Sequence, residues 1–128
     1  MLPKTLIVDD DPETCLMLSH ALRMLGFETD YALSGAQALA KIHQNMPDAV
    51  ILDLMMPDTD GFEVIRYLRA GPATAGLPII VVTAIGAPEA EEQSMQAGAT
   101  AFLRKPVSIH RLGETVRAHL PHSVKGQP

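Results

Sequence analysis

Short runs of consecutive apolar residues, each stopped by a polar residue and followed by a stretch of helical periodicity, constrain this chain more than any other feature. Thr5-Leu6-Ile7-Val8 ends in Asp9-Asp10-Asp11, Ala49-Val50-Ile51-Leu52 ends in Asp53, and Leu77 to Thr83 ends in its only hydroxyl. Runs without polar alternation predict strands covered on both faces, as in a parallel sheet between helical layers. Phe27 to Ala32 and Thr100 to Arg104 supply two further strands. Between the strands, Asp11 as cap and Pro12 at the first turn open a helix with the stripe Leu18, Ala21, Leu22, Leu25, closed by Gly26 in a left-handed cap. Ser34 caps a helix through Met46, with Leu39, Ile42 and Met46 on one face, which Pro47 stops. A capping box at Asp60 and Glu63 opens a helix from Gly61 to about Ala70, ended by Gly71-Pro72. Pro88 to Ala97 forms the next helix, closed by Gly98. Ser108 to Leu120 is the last, with Ile109, Leu112, Val116 and Leu120 inward. Five strand-helix units predict an α/β three-layer sandwich around a five-stranded parallel sheet of order 2-1-3-4-5, over residues 4–120, with 121–128 as a polar tail or linker stub.

Composition narrows the function classes. The chain has 128 residues, 47% hydrophobic and 20% charged, which suits one core and no second domain. A net charge of -5 without a Lys/Arg cluster argues against direct nucleic-acid binding. The apolar runs are too short to span a bilayer, the one cysteine, Cys15, permits no internal disulfide, and Met1-Leu2-Pro3-Lys4 has no signal-peptide layout. These features predict a cytoplasmic domain.

In an open parallel sheet of this order, ligands bind beyond the carboxyl ends of the strands at the switch between strands one and three. Asp9, Asp10, Asp53, Thr83 and Lys105 all fall at that edge. Asp11 is accounted for as a helix cap, but Asp9 and Asp10 are adjacent like charges beside a buried strand, which favours a hard divalent ion such as Mg²⁺. Asp53 can be a turn aspartate before Pro57 or, desolvated and rigid at a strand end, a nucleophile that accepts a phosphoryl group. Lys105 can be a solvated lysine or, aimed inward by a cis bond to Pro106, a cation for phosphoryl oxygens. Thr83 can be a plain strand residue or a hydroxyl donor to the same oxygens. The helix after Thr83 offers only the small face Ala90, Ser94, Ala97 beside Glu89, Glu91 and Glu92, so it is expected to be loosely held, with Phe102 changing burial alongside it.

Val8-Asp9-Asp10, Asp53-Leu54-Met55-Met56-Pro57 with Asp60-Gly61, Val82-Thr83-Ala84, and Gly98-Ala99 followed by Lys105-Pro106 together resemble the receiver domain of two-component response regulators, from Lys4 to Leu120. The resemblance implies a flavodoxin-like (βα)5 fold like that of CheY. It implies Asp53 as phosphoacceptor from a histidine kinase or histidine phosphotransfer protein, and Mg²⁺ bound by Asp10, Asp53 and the Met55 backbone carbonyl with Asp9 assisting through water. It further implies Thr83 and Lys105 as the phosphate-contacting pair, Phe102 as the aromatic switch residue, and a surface of the fourth helix, fifth strand and fifth helix read by a downstream effector or an output domain. Such a domain is a switch that catalyses only its own phosphoryl transfer and dephosphorylation.

Three departures qualify these implications. Phe102 lacks a phenolic hydroxyl, so its inward state must rest on packing. Met55 and Ile85, two after Asp53 and two after Thr83, are apolar where related domains often position a hydrolytic water, which predicts slow self-dephosphorylation. Thr100-Ala101-Phe102 lacks the acid used by charge-network dimers, so that dimer is not expected. Two other readings stay open at this stage. A small haloacid-dehalogenase-like phosphohydrolase would use Asp9-x-Asp11 with Thr83 and Lys105, but the chain leaves no room for a substrate cap and Val107 to Val116 carries only Glu114 as a late acid. A flavin module would need a phosphate-cradling loop where the sequence is acidic. No output domain lies within these residues, so both a stand-alone receiver and a piece of a longer regulator or hybrid kinase fit.

Overall fold

The computed structural model describes residues 2–84 and 88–121. Its elements are β1 (Lys4–Val8), α1 (Pro12–Met24), β2 (Glu28–Ala32), α2 (Gly35–Gln44), β3 (Ala49–Leu52), α3 (Gly61–Ala70), β4 (Ile79–Thr83), α4 (Pro88–Ala97), β5 (Ala101–Arg104) and α5 (Ile109–His119). The five strands form one sheet of order β2-β1-β3-β4-β5, every pair parallel, which is the order expected from the sequence.

Alternation along the inner strands divides the core in two. Leu6, Val8, Val50, Leu52, Ile79 and Val81 face Ala38 and Ile42 of α2 and Val64, Ile65 and Leu68 of α3. Ile7, Ile51, Ile80 and Val82 face the other way, against Cys15 and Leu22 of α1 and Leu112 and Val116 of α5. This is why β1, β3 and β4 read as continuous apolar runs. Each fully buried Ile or Leu contributes on the order of 2 kcal/mol through removal from water, and Ile80→Ala would cost about 2–5 kcal/mol once the cavity is included.

Caps set the helix starts. Asp11 accepts from the Glu13 N–H and Ser34 from the Gln37 N–H. Asp60 accepts from the Phe62 and Glu63 N–H groups, and Ser108 from that of Arg111. Gly26 and Gly98, the two helix closers, have positive φ of +95° and +118°, as the left-handed cap expected at Gly26 requires.

Two helix assignments need correction. α2 stops at Gln44, and Met46 is exposed instead of inward. Pro47 excludes the helical conformation from the residue before it, so Met46 cannot join the helix. On α1 the buried line is Cys15, Ser19 and Leu22, one helical step from the leucine stripe, with Leu18 and Leu25 only partly buried. The small side chains of Cys15 and Ser19 let the helix lie close on the sheet. A short antiparallel ladder that the sequence reading omitted pairs Met55–Met56 with Thr59–Asp60, turning through Pro57-Asp58. Among the described residues no helix is long and apolar enough to cross a membrane.

Candidate functional site

The sheet order brings the ends of β1, β3 and β5 together at one edge. Asp9 follows β1 directly, and its backbone N–H donates to the Ala32 carbonyl at 3.1 Å, so the strand geometry continues to it. Asp53 follows β3 in the same way, its N–H donating to the Val8 carbonyl at 2.9 Å. The Lys105 N–H donates to the Thr83 carbonyl at 2.9 Å, which ties the end of β5 to that of β4. The peptide bond between Lys105 and Pro106 is cis, as the sequence reading supposed.

From these positions the side chains converge. Asp9 and Asp53 are 3% and 6% exposed, so neither carboxylate is hydrated as it would be on a surface. The Lys105 ammonium compensates them, donating to Asp9 Oδ2 and to Asp53 Oδ2 at 3.0 Å each. The second oxygens are held too: Asp9 Oδ1 accepts from the Asp11 N–H at 3.0 Å and Asp53 Oδ1 from the Met55 N–H at 2.9 Å. Burial works against the charged ammonium, but the hydrogen bonds and charges of Asp53 and Asp9 outweigh it and raise the Lys105 pKa above its ordinary value.

Carboxylate oxygens of Asp9, Asp10 and Asp53 lie within 4.8 Å of one another, with Asp10 exposed at the mouth. Three carboxylates against one ammonium leave two negative charges among these four groups, and the donors are all hard oxygens. That donor set fits a divalent hard cation and is a poor match for a soft one.

Thr83 is fully buried at the end of β4, paired in register with Arg104 of β5. Met55 exposes 53% of its surface just beyond Asp53. Phe102 lies apart, on the margin of the sheet that faces α4, half-buried against the core on that side. Ile85 lies outside the described residues. Asp11 is spent on capping, accepting from the Glu13 N–H at 3.2 Å and the Thr14 hydroxyl at 2.7 Å. The Asp9-x-Asp11 pair required by the phosphohydrolase reading is therefore split between two tasks.

Two contacts at this edge escaped the sequence reading. Cys15 donates its S–H to the Asp9 carbonyl at 3.3 Å, and burial followed by the Asp9 charge pushes the thiol up to about 11, so it stays protonated and packs as an apolar group. Thr59 Oγ1 accepts from the Gly35 N–H at 3.0 Å, linking the loop after Asp53 to the start of α2. The turn dipeptide Pro57-Asp58 was the available sign of that ladder.

Comparison with known proteins identifies the family that this fold belongs to. The family model described as the response regulator receiver domain matches residues 5–117. RpaA of Synechocystis sp., a DNA-binding dual master transcriptional regulator, is 37% identical over 119 residues, 93% of this chain and 49% of the relative. The phosphate regulon regulator PhoB of Rhizobium meliloti is 38% identical over 120 residues, 94% of this chain and 53% of PhoB. The chain thus spans about half the length of these curated relatives. Among solved structures, a putative response regulator from Chloroflexus aurantiacus superposes with a TM-score of 0.88 at 38% identity, over 93% of this chain and 98% of that one. The chemotaxis response regulator CheY4 of Vibrio cholerae gives 0.86 at 33%, over 94% and 100%. By name these are transcriptional regulators and response regulators, none of them a phosphohydrolase, and the fold of the solved ones is the flavodoxin-like one anticipated. A parallel sheet whose first, third and fifth strands deliver Asp9, Asp53 and Lys105 to one edge is accordingly that of a two-component signalling protein: the chain belongs to the response regulator receiver domains.

Proposed function

We propose that the chain is a phosphorylation switch in which Asp53 accepts a phosphoryl group from a histidine kinase or a histidine phosphotransfer protein. The observation that carries this reading is the Lys105 ammonium docked on both buried carboxylates, 3.0 Å from Asp53 Oδ2 and from Asp9 Oδ2. An Asp53 oxygen attacks phosphorus and forms a P–O bond while the donor's P–N bond breaks, its electron pair leaving with the imidazole nitrogen. The product is an acyl phosphate on Asp53. The Met55 N–H fixes the plane of the attacking carboxylate, and Lys105 and the Thr83 hydroxyl hold the phosphoryl oxygens as charge spreads onto them. Asp10, Asp53 and the Met55 carbonyl would hold Mg²⁺, with Asp9 contributing through water. Such an ion would supply positive charge for the phosphoryl oxygens beyond that of one ammonium.

The remaining roles follow from the same reading. Phosphorylation adds a group of charge about -1.5 to -2 and biases Thr83 and Phe102 between two arrangements. The surface of α4, β5 and α5 then presents the result to a downstream effector protein or an output domain outside this chain. The receiver occupies 4–120, 121–128 is a tail or linker stub, and the domain works in the cytoplasm as a switch that catalyses only its own phosphoryl transfer and dephosphorylation. The direct test is incubation with Mg²⁺ and acetyl phosphate, reading intact mass. One added phosphoryl group on the wild type and none on Asp53→Ala is the expected result, and equal labelling of both would overturn the reading.

A further inference from the structure

On the outer margin of the sheet, three residues form a chain outside the carboxylate site. The Arg104 guanidinium carbon lies 5.3 Å from the centroid of the Phe102 ring. The same side chain reaches Glu91 of α4, Nη2 to Oε1 at 3.9 Å. Residues 102 and 104 are two apart on β5, so both stand on the sheet face that carries α4. Arg104 is also paired in register with Thr83, and Lys105 follows it directly.

We propose that Arg104 is a positioning residue for the switch: it clasps the Phe102 ring at the sheet margin and ties it to Glu91, supplying the hold that a phenylalanine without a hydroxyl cannot supply for itself. The proposal rests on Phe102 being the switch residue and adds how its resting position is kept. A cation over a ring face is attracted by the ring quadrupole, and at a site this exposed the contact is modest. The Glu91–Arg104 pair has side chains 56% and 43% exposed and adds little by itself. A weak clasp suits a switch, because one binding event must be able to open it. α4 is the element such a tether acts on, and of its residues only Ala90 and Ser94 are fully buried.

The test measures affinity for beryllofluoride in Mg²⁺ buffer, together with ¹⁹F spectra of fluorophenylalanine-labelled protein. The chain has three phenylalanines, and Phe102→Leu assigns the relevant resonance. Releasing a cation–π contact of this kind in Arg104→Met is expected to tighten beryllofluoride binding about two- to fivefold by raising the competent fraction. It should also shift the Phe102 resonance without phosphoryl mimic. Arg104→Lys should restore most of the wild-type behaviour, and the gain should vanish in the Phe102→Leu background. Unchanged or weaker binding by Arg104→Met, or an equal gain with Phe102 removed, would overturn the clasp. Failure of the wild type to bind beryllofluoride would instead count against Asp53 as acceptor. In that event an unmoved Phe102 resonance in Arg104→Met overturns the clasp, and a moved one that Arg104→Lys reverses supports it.

Discussion

Lys105 Nζ donates to Asp53 Oδ2 at 3.0 Å across 52 residues of chain, and the same ammonium donates to Asp9 Oδ2 at 3.0 Å, so one cation serves two buried carboxylates. Removing the cation while keeping the stem separates its two tasks. Lys105→Met should slow labelling of Asp53 by acetyl phosphate about 10²-fold, the scale of losing one preorganised charge donor. It should also destabilise the Mg²⁺-free protein by about 3 kcal/mol, since Asp9 and Asp53 then lack their partner. Urea unfolding with and without Mg²⁺ reads the second effect. Because the folded pKa of Lys105 is raised, its contribution is fully present below 10.5 and is lost as pH rises through the higher folded value, so the wild type and Lys105→Met should converge only in strong alkali.

Mg²⁺ should stabilise the fold by mass action, by about 2.7 kcal/mol at a hundredfold excess over its Kd, and chelation should reverse this. Asp10 is exposed and outside the core, so Asp10→Asn should leave the Mg²⁺-free melting temperature within about 2 °C of wild type, the shift of a surface change under 0.5 kcal/mol. The same variant should lose most of the Mg²⁺ increment. An increment of wild-type size would argue that the ion sits elsewhere.

Asp30 and Lys41 form a half-exposed pair at 2.9 Å on the far side of the sheet. Burial opposes ionisation of Asp30, but the hydrogen bonds from Lys41 and the Tyr31 N–H prevail and hold its carboxyl below the ordinary 3.8. The stabilisation is therefore present above 3.8 and is lost as pH falls through the lower folded value. Lys41→Met should cost under about 1 kcal/mol at neutral pH, and unfolding in acid should show the difference closing.

Gly98 combines φ of +118° with a side-chain wall: a Cβ there would meet Arg69 Cγ at 2.6 Å. Arg69 donates from Nε to the Gly98 carbonyl at 2.7 Å and from Nη1 to the Leu77 carbonyl at 2.7 Å. Gly98→Ala should therefore strain the backbone and disturb this guanidinium together, costing about 2–3 kcal/mol in thermal unfolding. At Gly26 the nearest atom, Arg117 Nη2, stands at 3.0 Å and ends a flexible chain, so Gly26→Ala should cost less.

Met55 lies two residues past Asp53, with half its surface in solvent and no side-chain group to orient a water. Met55→Asn should shorten the phospho-Asp53 lifetime several-fold, read by intact mass over time. A wild-type lifetime shorter than that of the variant would contradict the expectation of slow self-dephosphorylation.

The strands and their order were legible because β1, β3 and β4 are buried on both faces and leave no polar alternation to mislead. The carboxylates were legible for the converse reason: charge at the end of an apolar run has no packing explanation. Edges and small residues hid more. α1 lies on the small side chains of Cys15 and Ser19, which the larger leucines outweigh in the pattern, so the leucines drew the stripe one step round the helix. Met46 looked like a helical residue by spacing, and only the restriction imposed by Pro47 decided otherwise. Nothing in the sequence marks Arg69 or Arg104, since their partners are carbonyls, a ring and a carboxylate that only the folded topology supplies.

β3 is the middle strand of five, and Asp53 is its first residue past the sheet. Whatever is attached there acts at the centre line of the molecule, yet the two flanks are not alike. Toward β2 the neighbouring end is closed by Asp9 and the cap of α1. Toward β5 it runs by way of Thr83 to Arg104 and the thinly seated α4. With Asp53 as acceptor, an added group would therefore stand between an acid-lined flank on β1 and a flank that leads through Thr83 to Arg104 on β5.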